Sequence, residues 1–264
     1  MNQVNQKPNQ IFSQGEIFSA HAKTIFNKTS AIQLRQLVDK SICSKALNYL
    51  VDNESDIIAK YSSDKKGLSV DEIDGRKYIK YFEYPLNESR ELFGKFINSN
   101  IFEIATFFLG QKVYLNSLEI HSRCPLGSAI PPHQDNAYYG LINGSGLTFY
   151  IPINEEYASK GGLKYYINSS DIDFAHKPSE AKGFSLTISN PNVINFDTFE
   201  PNYRPGDCTI HHSRSLHFAD PVPPSAERGF VVRLTLHGIS EVKKEGHDLW
   251  YEKMIKLNRL KANP

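Results

Sequence analysis

The hydrophobic pattern of the chain changes near Gly110. Before this residue, apolar side chains recur every three or four positions, which is typical of helices with one buried face. We expect one helix to begin after Ser30 as its N-cap. Its predicted buried face consists of Leu34, Val38, Ile42, Ala46 and Tyr49. A second helical region is predicted over residues 87–109, with Gly110 as its C-terminal cap.

After Gly110 the chain consists of short runs rich in Val, Ile, Tyr, Phe and Thr, separated by Gly, Pro, Asn and Asp. Such runs predict strands. They cover residues 113–123, 146–153, 161–168, 206–212 and 228–238. Helices first and strands second argue against alternating βαβ units. We therefore predict a mainly β fold with flanking helices, a double-stranded β-helix or jelly-roll (cupin-like) barrel.

The domain organisation follows from this pattern. Residues 1–15 are polar and rich in Asn and Gln, so we expect a flexible N-terminal tail. Residues 16–264 are predicted to form a single domain. It has a helical support over about 28–110, a jelly-roll core over about 112–238 and a C-terminal helix over about 247–260.

Charge and composition narrow the choice of partners. The chain has 30 Lys and Arg against 29 Asp and Glu, a net charge of +1, which gives no general attraction to nucleic acid or acidic membranes. No window has the apolar length of a signal peptide core or a membrane span, so we expect a cytoplasmic protein. The three cysteines are widely spaced and predict buried free thiols. Oligomeric state is left open.

Candidate metal ligands lie at two places in the chain. His133 and Asp135 are two positions apart, so on a strand their side chains would point to the same face. A third ligand can come from His211, His212 or His217, which follow in one cluster. Two imidazoles and one carboxylate leave coordination positions open, an arrangement that suits Fe(II) with a cosubstrate and dioxygen.

The strand over 228–238 contains a second chemical signal. Its even positions are mostly apolar, so we expect them to face into the barrel, with Arg228 at their start and Arg233 pointing outward. A buried arginine needs an anionic partner, which a dicarboxylate cosubstrate would supply. The alternative is a structural ion pair between Arg228 and a protein carboxylate such as Asp207.

Several segments together resemble the phytanoyl-CoA dioxygenase family of iron- and 2-oxoglutarate-dependent oxygenases. They are His-Gln-Asp at 133–135 after a Pro-rich turn, Pro-Gly-Asp at 205–207 leading to a histidine, and an arginine eleven residues after His217. The resemblance spans residues 112–238. It implies that His217 is the third ligand, with His211 and His212 structural or close to the site, and His212 the closer neighbour.

The resemblance also implies an activity. The enzyme would use Fe(II), 2-oxoglutarate and dioxygen to hydroxylate or otherwise oxidise an unactivated C–H bond of a small molecule, releasing succinate. Arg228 would bind the distal carboxylate of the cosubstrate, with Tyr150 and His121 as further cofactor-binding residues. Asp135 occupies the position that related halogenases leave free for chloride, which argues against halogenation.

Substrate contacts and rival functions complete the sequence hypotheses. We expect substrate contacts from Asn136, Tyr138, Tyr139 and Phe218. Two alternative functions share the metal ligands: a non-redox metal-dependent hydrolase, and a non-catalytic jelly-roll protein that binds a metal or another ligand. The sequence does not identify the substrate, and it does not separate hydroxylation from desaturation, epoxidation or ring formation.

Overall fold

A computed structural model describes residues 9–64, 67–155, 162–181 and 185–262. The helices are α1 (Ala20–Thr29), α2 (Lys40–Tyr61), α3 (Pro85–Glu88), α4 (Arg90–Phe93), α5 (Ser99–Leu109), α6 (Asn136–Tyr139) and α7 (His247–Ala262). The strands are β1 (Ile11–Phe12), β2 (Ala31–Leu34), β3 (Leu68–Ile73), β4 (Arg76–Phe82), β5 (Val113–Arg123), β6 (Ile130–Gln134), β7 (Gly146–Pro152), β8 (Lys164–Tyr166), β9 (His176–Pro178), β10 (Leu186–Ile188), β11 (Thr198–Phe199), β12 (Cys208–His212), β13 (Leu216–Ala219) and β14 (Gly229–Gly238).

The fold is a jelly roll, as predicted, in which the two largest of the three sheets in the described residues pack together; the third sheet consists of β9 and β10. The larger sheet has the strand order β1-β2-β12-β7-β14-β5-β4-β3, and the smaller has the order β11-β8-β13-β6. Tyr150 and Val231 of the larger sheet pack with Ile130, Tyr165 and Ala219 of the smaller one. The sheets face each other as two open layers and do not form a closed barrel.

The helices before β5 cover the outer face of the larger sheet. Residues of α1, α2 and α5, such as Phe26, Leu50 and Ile104, pack in one core with the even-numbered apolar residues of β14. These β14 residues are Phe230, Val232, Leu234 and Leu236. Burying each side chain of this size contributes about 1.5–3 kcal/mol to folding. The more apolar face of β14 therefore packs against the helices, and its other face points into the space between the two sheets.

The five predicted strand runs each contain an observed strand, and the predicted C-terminal helix is present. Gly110 is the left-handed C-cap of α5, as expected. The predicted helical region over 87–109 consists of several short helices. The three cysteines are free and buried, also as expected. None of the helices in the described ranges combines the length and apolar character needed to cross a bilayer.

Two predictions about the N-terminal region are wrong. Ser30 does not start a helix: it ends α1 in the left-handed conformation, and the next four residues form β2 beside β12. The true N-cap of α2 is Asp39. The tail predicted over 1–15 is too long, because Gln10 and Phe12 are buried and β1 pairs with β2. Residues 1–8 lie outside the described residues.

Candidate metal centre

The three predicted ligands come together between the sheets. The antiparallel strands β6 and β13 place His217 directly opposite His133, with ring centroids 4.3 Å apart. Asp135 follows the end of β6, at the N-terminus of α6. Its Oδ1 lies 3.8 Å from His133 Nε2 and 3.7 Å from His217 Nε2. One potential ligand atom from each residue lies within 4.8 Å of the others, and all three residues are buried.

Hydrogen bonds orient both imidazoles toward Asp135. His133 Nδ1 is 2.8 Å from the carbonyl oxygen of Pro131, and His217 Nδ1 is 2.9 Å from that of Ser215. A carbonyl only accepts, so each Nδ1 carries the proton and donates it. Each Nε2 therefore turns a free lone pair toward the cluster. Metal-binding histidines are commonly held this way.

The two oxygens of Asp135 have different surroundings. Oδ2 accepts from Thr148 Oγ1 at 2.6 Å and from Arg233 Nη2 at 2.9 Å, and lies 3.2 Å from His211 Nε2. Oδ1 faces the Nε2 atoms of His133 and His217. The cluster therefore presents two imidazole nitrogens and one carboxylate oxygen, a donor set that fits a divalent transition metal such as iron.

Burial and the neighbouring charges together set the protonation states of His133, His217 and Asp135. Burial and the neighbouring His217 lower the pKa of His133 to about 3, and burial lowers the pKa of His217 to about 4. Burial alone would raise the pKa of Asp135, but Arg233 and the hydrogen bond with His211 hold it well below its usual value. At neutral pH both imidazoles are neutral and the carboxylate is ionised, which is the state that binds a metal.

The arginine that contacts this cluster is Arg233, so the predicted orientation of β14 is wrong. Arg233 donates to Asp135 and, through Nη1, to Glu119 at 2.9 Å; it also contacts the Tyr139 hydroxyl. Opposite-charge residues Glu119 and Arg233 are direct cross-strand partners on β5 and β14.

Arg228 lies on the helix side of the same sheet. Its Nη1 donates to Glu54 of α2 at 2.9 Å, and Nη2 donates to the carbonyl oxygen of Ile79 and to Ser122 Oγ. The alternative of a structural ion pair therefore describes Arg228, although the partner is Glu54 and not Asp207. The helices pack against the apolar face of β14, and Arg228 lies on the same side of the sheet.

Tyr150 and His121, predicted to bind the cofactor, both lie on strands that flank β14. Tyr150 on β7 is the direct partner of Arg233 and shares a face with Thr148. His121 on β5 lies two residues from Glu119, and its Nε2 is 3.0 Å from the Glu119 carboxylate. Both strands therefore place them on the same inner face as Arg233.

The four predicted substrate contacts have different environments. Asn136 closes the loop after α6, because its side chain bonds both backbone groups of Leu141. Tyr138 packs edge-on against His133 at 5.5 Å, and its hydroxyl accepts from the Leu186 N–H. Tyr139 contacts Arg233.

Phe218 is not at the cluster. It follows His217 on β13, so it points to the opposite face, where its ring stacks on Tyr166 at 4.8 Å. Phe218 therefore lies on the face of β13 opposite His217, and its contact with the substrate stays a prediction.

Of His211 and His212, the residue closer to the cluster is also not the predicted one. His211 is fully buried beside Asp135, whereas the next residue, His212, lies at the end of β12 and accepts from the backbone N–H of Arg214. The expectation that His212 is the closer neighbour is therefore wrong. Strand alternation separates these two residues, and the pairing of His211 with Thr148 on β7 shows which one faces inward.

Sequence reasoning missed Thr148 and Glu119 beside the cluster, and it placed Arg233 on the wrong face of β14. A usable signal existed for Glu119 and Arg233. A carboxylate and a guanidinium at the centre of strongly apolar strands predict a buried ion pair, because neither charge is stable there alone. Thr148 gave no signal, since threonine is an ordinary strand residue.

Comparisons with known proteins agree with this architecture. No protein-family model matches the chain. A relative from Stutzerimonas stutzeri, named a probable alpha-ketoglutarate-dependent hypophosphite dioxygenase, is 27% identical over 142 residues. The match covers 51% of this chain and 49% of that relative, so the chain spans about half the length of the curated relative it matches.

Solved structures are similar over most of the chain. EctD from S. alaskensis with bound Fe has a TM-score of 0.67 at 13% identity, covering 88% of this chain and 81% of that one. SnoK, a non-heme alpha ketoglutarate dependent carbocyclase from nogalamycin biosynthesis, has a TM-score of 0.64 at 14% identity, with 88% and 90% covered. At these identities the likeness establishes a shared fold.

Proposed function

We propose that this chain is an Fe(II)- and 2-oxoglutarate-dependent oxygenase that hydroxylates or otherwise oxidises a C–H bond of a small molecule. The observation that carries this proposal is the buried cluster of His133, Asp135 and His217, with both imidazole lone pairs turned toward one carboxylate oxygen. When bound, iron with 2-oxoglutarate and dioxygen supplies the oxidising chemistry, and succinate and carbon dioxide are released.

The chain itself supplies a preorganised set of ligands. His133 and His217 would bind through Nε2, and Asp135 through Oδ1. Their protonation states already suit a metal at neutral pH, so binding requires no proton release from these groups. Three protein ligands leave positions for a cosubstrate and dioxygen, which a structural site with four protein ligands would not.

Arg233 is the proposed anchor for the distal carboxylate of 2-oxoglutarate, in place of Arg228. Arg233 is buried, and its Nη2 lies 2.9 Å from Oδ2 of Asp135, the proposed metal ligand. A guanidinium can bind a carboxylate through two parallel hydrogen bonds. Tyr150 and His121 lie on the same inner face and are proposed to line the cosubstrate position.

The likeness to known proteins supports the same reaction class. The S. stutzeri relative carries the name of a 2-oxoglutarate-dependent dioxygenase, and the sequence motifs resemble the phytanoyl-CoA dioxygenase family. We propose a small-molecule substrate. Hypophosphite belongs in the first set of compounds to test, because that relative is named for it. Tyr138 and Tyr139 remain proposed pocket residues, since both pack beside the cluster.

The test is succinate formation by purified protein loaded with Fe(II) in air. A panel of small molecules including hypophosphite is added with 2-oxoglutarate, and mass spectrometry follows succinate and product. We expect substrate-dependent succinate from the wild type, none from His133→Ala or His217→Ala, and normal turnover from the matched control His212→Ala. Turnover that persists in His217→Ala, or that needs zinc but neither 2-oxoglutarate nor dioxygen, contradicts the proposal.

A further inference from the structure

We propose that His211 is a positioning residue that locks Asp135 as a ligand through one oxygen only. This inference rests on the proposed metal centre, and it is independent of the cosubstrate. His211 is completely buried on β12, and its Nε2 lies 3.2 Å from Asp135 Oδ2. Its ring centroid is 4.8 Å from that of His217, so it adjoins the cluster without belonging to the ligand set.

A chain of buried hydroxyl groups leads to the other side of the His211 ring. The Tyr165 hydroxyl oxygen is 3.2 Å from His211 Nδ1 and 2.8 Å from Thr209 Oγ1. Thr209 Oγ1 is in turn 3.1 Å from the Tyr203 hydroxyl oxygen. Each of these four side chains is at most 2% exposed. Burying so many polar groups is costly unless their hydrogen bonds are complete.

The ionised Asp135 sets the direction of every bond in this chain. A carboxylate only accepts, so a neutral His211 must carry its proton on Nε2, and its Nδ1 then accepts. Tyr165 therefore donates to His211 and accepts from Thr209. The Thr209 hydroxyl, having donated its one proton to Tyr165, accepts from Tyr203. The tautomer of His211 is thus held from both sides of the ring.

These hydrogen bonds restrict how the Asp135 carboxylate, the proposed ligand, can bind a metal. Oδ2 receives three donors, from Thr148, Arg233 and His211, which hold the carboxylate against rotation. Only Oδ1 is left to bind a metal. A carboxylate that rotated to bind through both oxygens would occupy one of the positions that dioxygen or a cosubstrate requires. His211 is therefore expected to govern metal affinity and coordination geometry while never binding the metal.

Titration with Co(II) alone tests this role, because its visible absorption reports coordination geometry in the absence of turnover. His211→Leu removes the donor, whereas His211→Gln keeps an N–H near the Nε2 position. We expect His211→Leu to weaken Co(II) binding roughly 10- to 100-fold with an altered spectrum, and His211→Gln to stay within about threefold of wild type. His212→Leu, the matched control on the neighbouring residue, should bind as the wild type does.

Three results separate the outcomes. If His211→Leu binds Co(II) like the wild type, or if Gln is no better than Leu, His211 has no positioning role. If His133→Ala also keeps its Co(II) affinity, the proposed metal site itself is wrong. Should His211→Leu fail to fold, nitrogen NMR of the metal-free wild type decides: we expect the proton of His211 on Nε2, and a proton on Nδ1 would overturn the inference.

Discussion

Replacing Arg233 on β14, or Arg228 directly before this strand, by lysine tests which side of the larger sheet binds the cosubstrate. Lysine keeps the positive charge but loses the planar fork that holds two partners at once. In Arg233→Lys, the buried Glu119 and Asp135 carboxylates still have a cation beside them, which reduces the risk of unfolding. In Arg228→Lys, the contacts with Glu54, Ser122 and Ile79 are weakened on the helix side.

The expected magnitude follows from the number of charge-assisted hydrogen bonds lost. A carboxylate bound by two guanidinium N–H groups keeps one at best when lysine replaces arginine. One hydrogen bond to a charged group contributes about 1.5–3 kcal/mol, which corresponds to roughly 10- to 150-fold in Kd. Arg233→Lys should weaken 2-oxoglutarate binding by that factor. Arg228→Lys should lower the free energy of unfolding instead, by about 1–3 kcal/mol.

The assay is an anaerobic titration of the Fe(II)-loaded protein with 2-oxoglutarate, followed by calorimetry, with urea unfolding of both variants alongside. Metal affinity measured separately excludes an indirect effect through Asp135. The reasoning is refuted if Arg228→Lys loses 2-oxoglutarate affinity while Arg233→Lys retains it. Such a result would mean that the inner face of β14 does not bind the cosubstrate.

Two further predictions concern stability. A Cβ on Gly140, which has a φ of +66°, would lie 2.3 Å from the His247 ring, so Gly140→Ala should cost about 2 kcal/mol or more in urea unfolding. Gly75→Ala has a similar φ and no atom nearby, so an equal loss there would contradict this reason. Burial lowers the pKa of His237 to about 4, below its unfolded value of about 6.5. The unfolded chain therefore binds the proton first as pH falls, and stability is lost from about pH 6.5 down to pH 4. Between pH 7 and pH 4.5 the free energy of unfolding of His237→Phe should therefore fall by about 2–3 kcal/mol less than that of the wild type. An unchanged pH dependence in this variant would contradict the assignment to His237.

Local patterns predicted β5, β7, β8, β12 and β14 and indicated His133 and Asp135 as a pair of ligands, whereas the choice of His217 as the third ligand came from the family resemblance. His133 and Asp135 lie on or beside one strand, so their common direction follows from the two-residue repeat of a strand. Hydrophobic spacing was misleading at Ser30, where β2 and the start of α2 together mimic a single helical period. Pairing of β2 with β12, a segment far along the chain, decided that region.

Alternation along β14 and β12 determined which residues share a face, and the sequence therefore separated Arg228 from Arg233 and His211 from His212. The sequence did not determine which face of β14 or of β12 points toward the metal cluster. A central strand of this fold is buried on both sides, so apolar character does not mark the inside. The helices pack against the more apolar face, and the ion pairs of Arg233 and the buried His211 lie between the two sheets. Only the tertiary packing of the N-terminal helices on the larger sheet therefore decided that Arg233 and His211 adjoin Asp135.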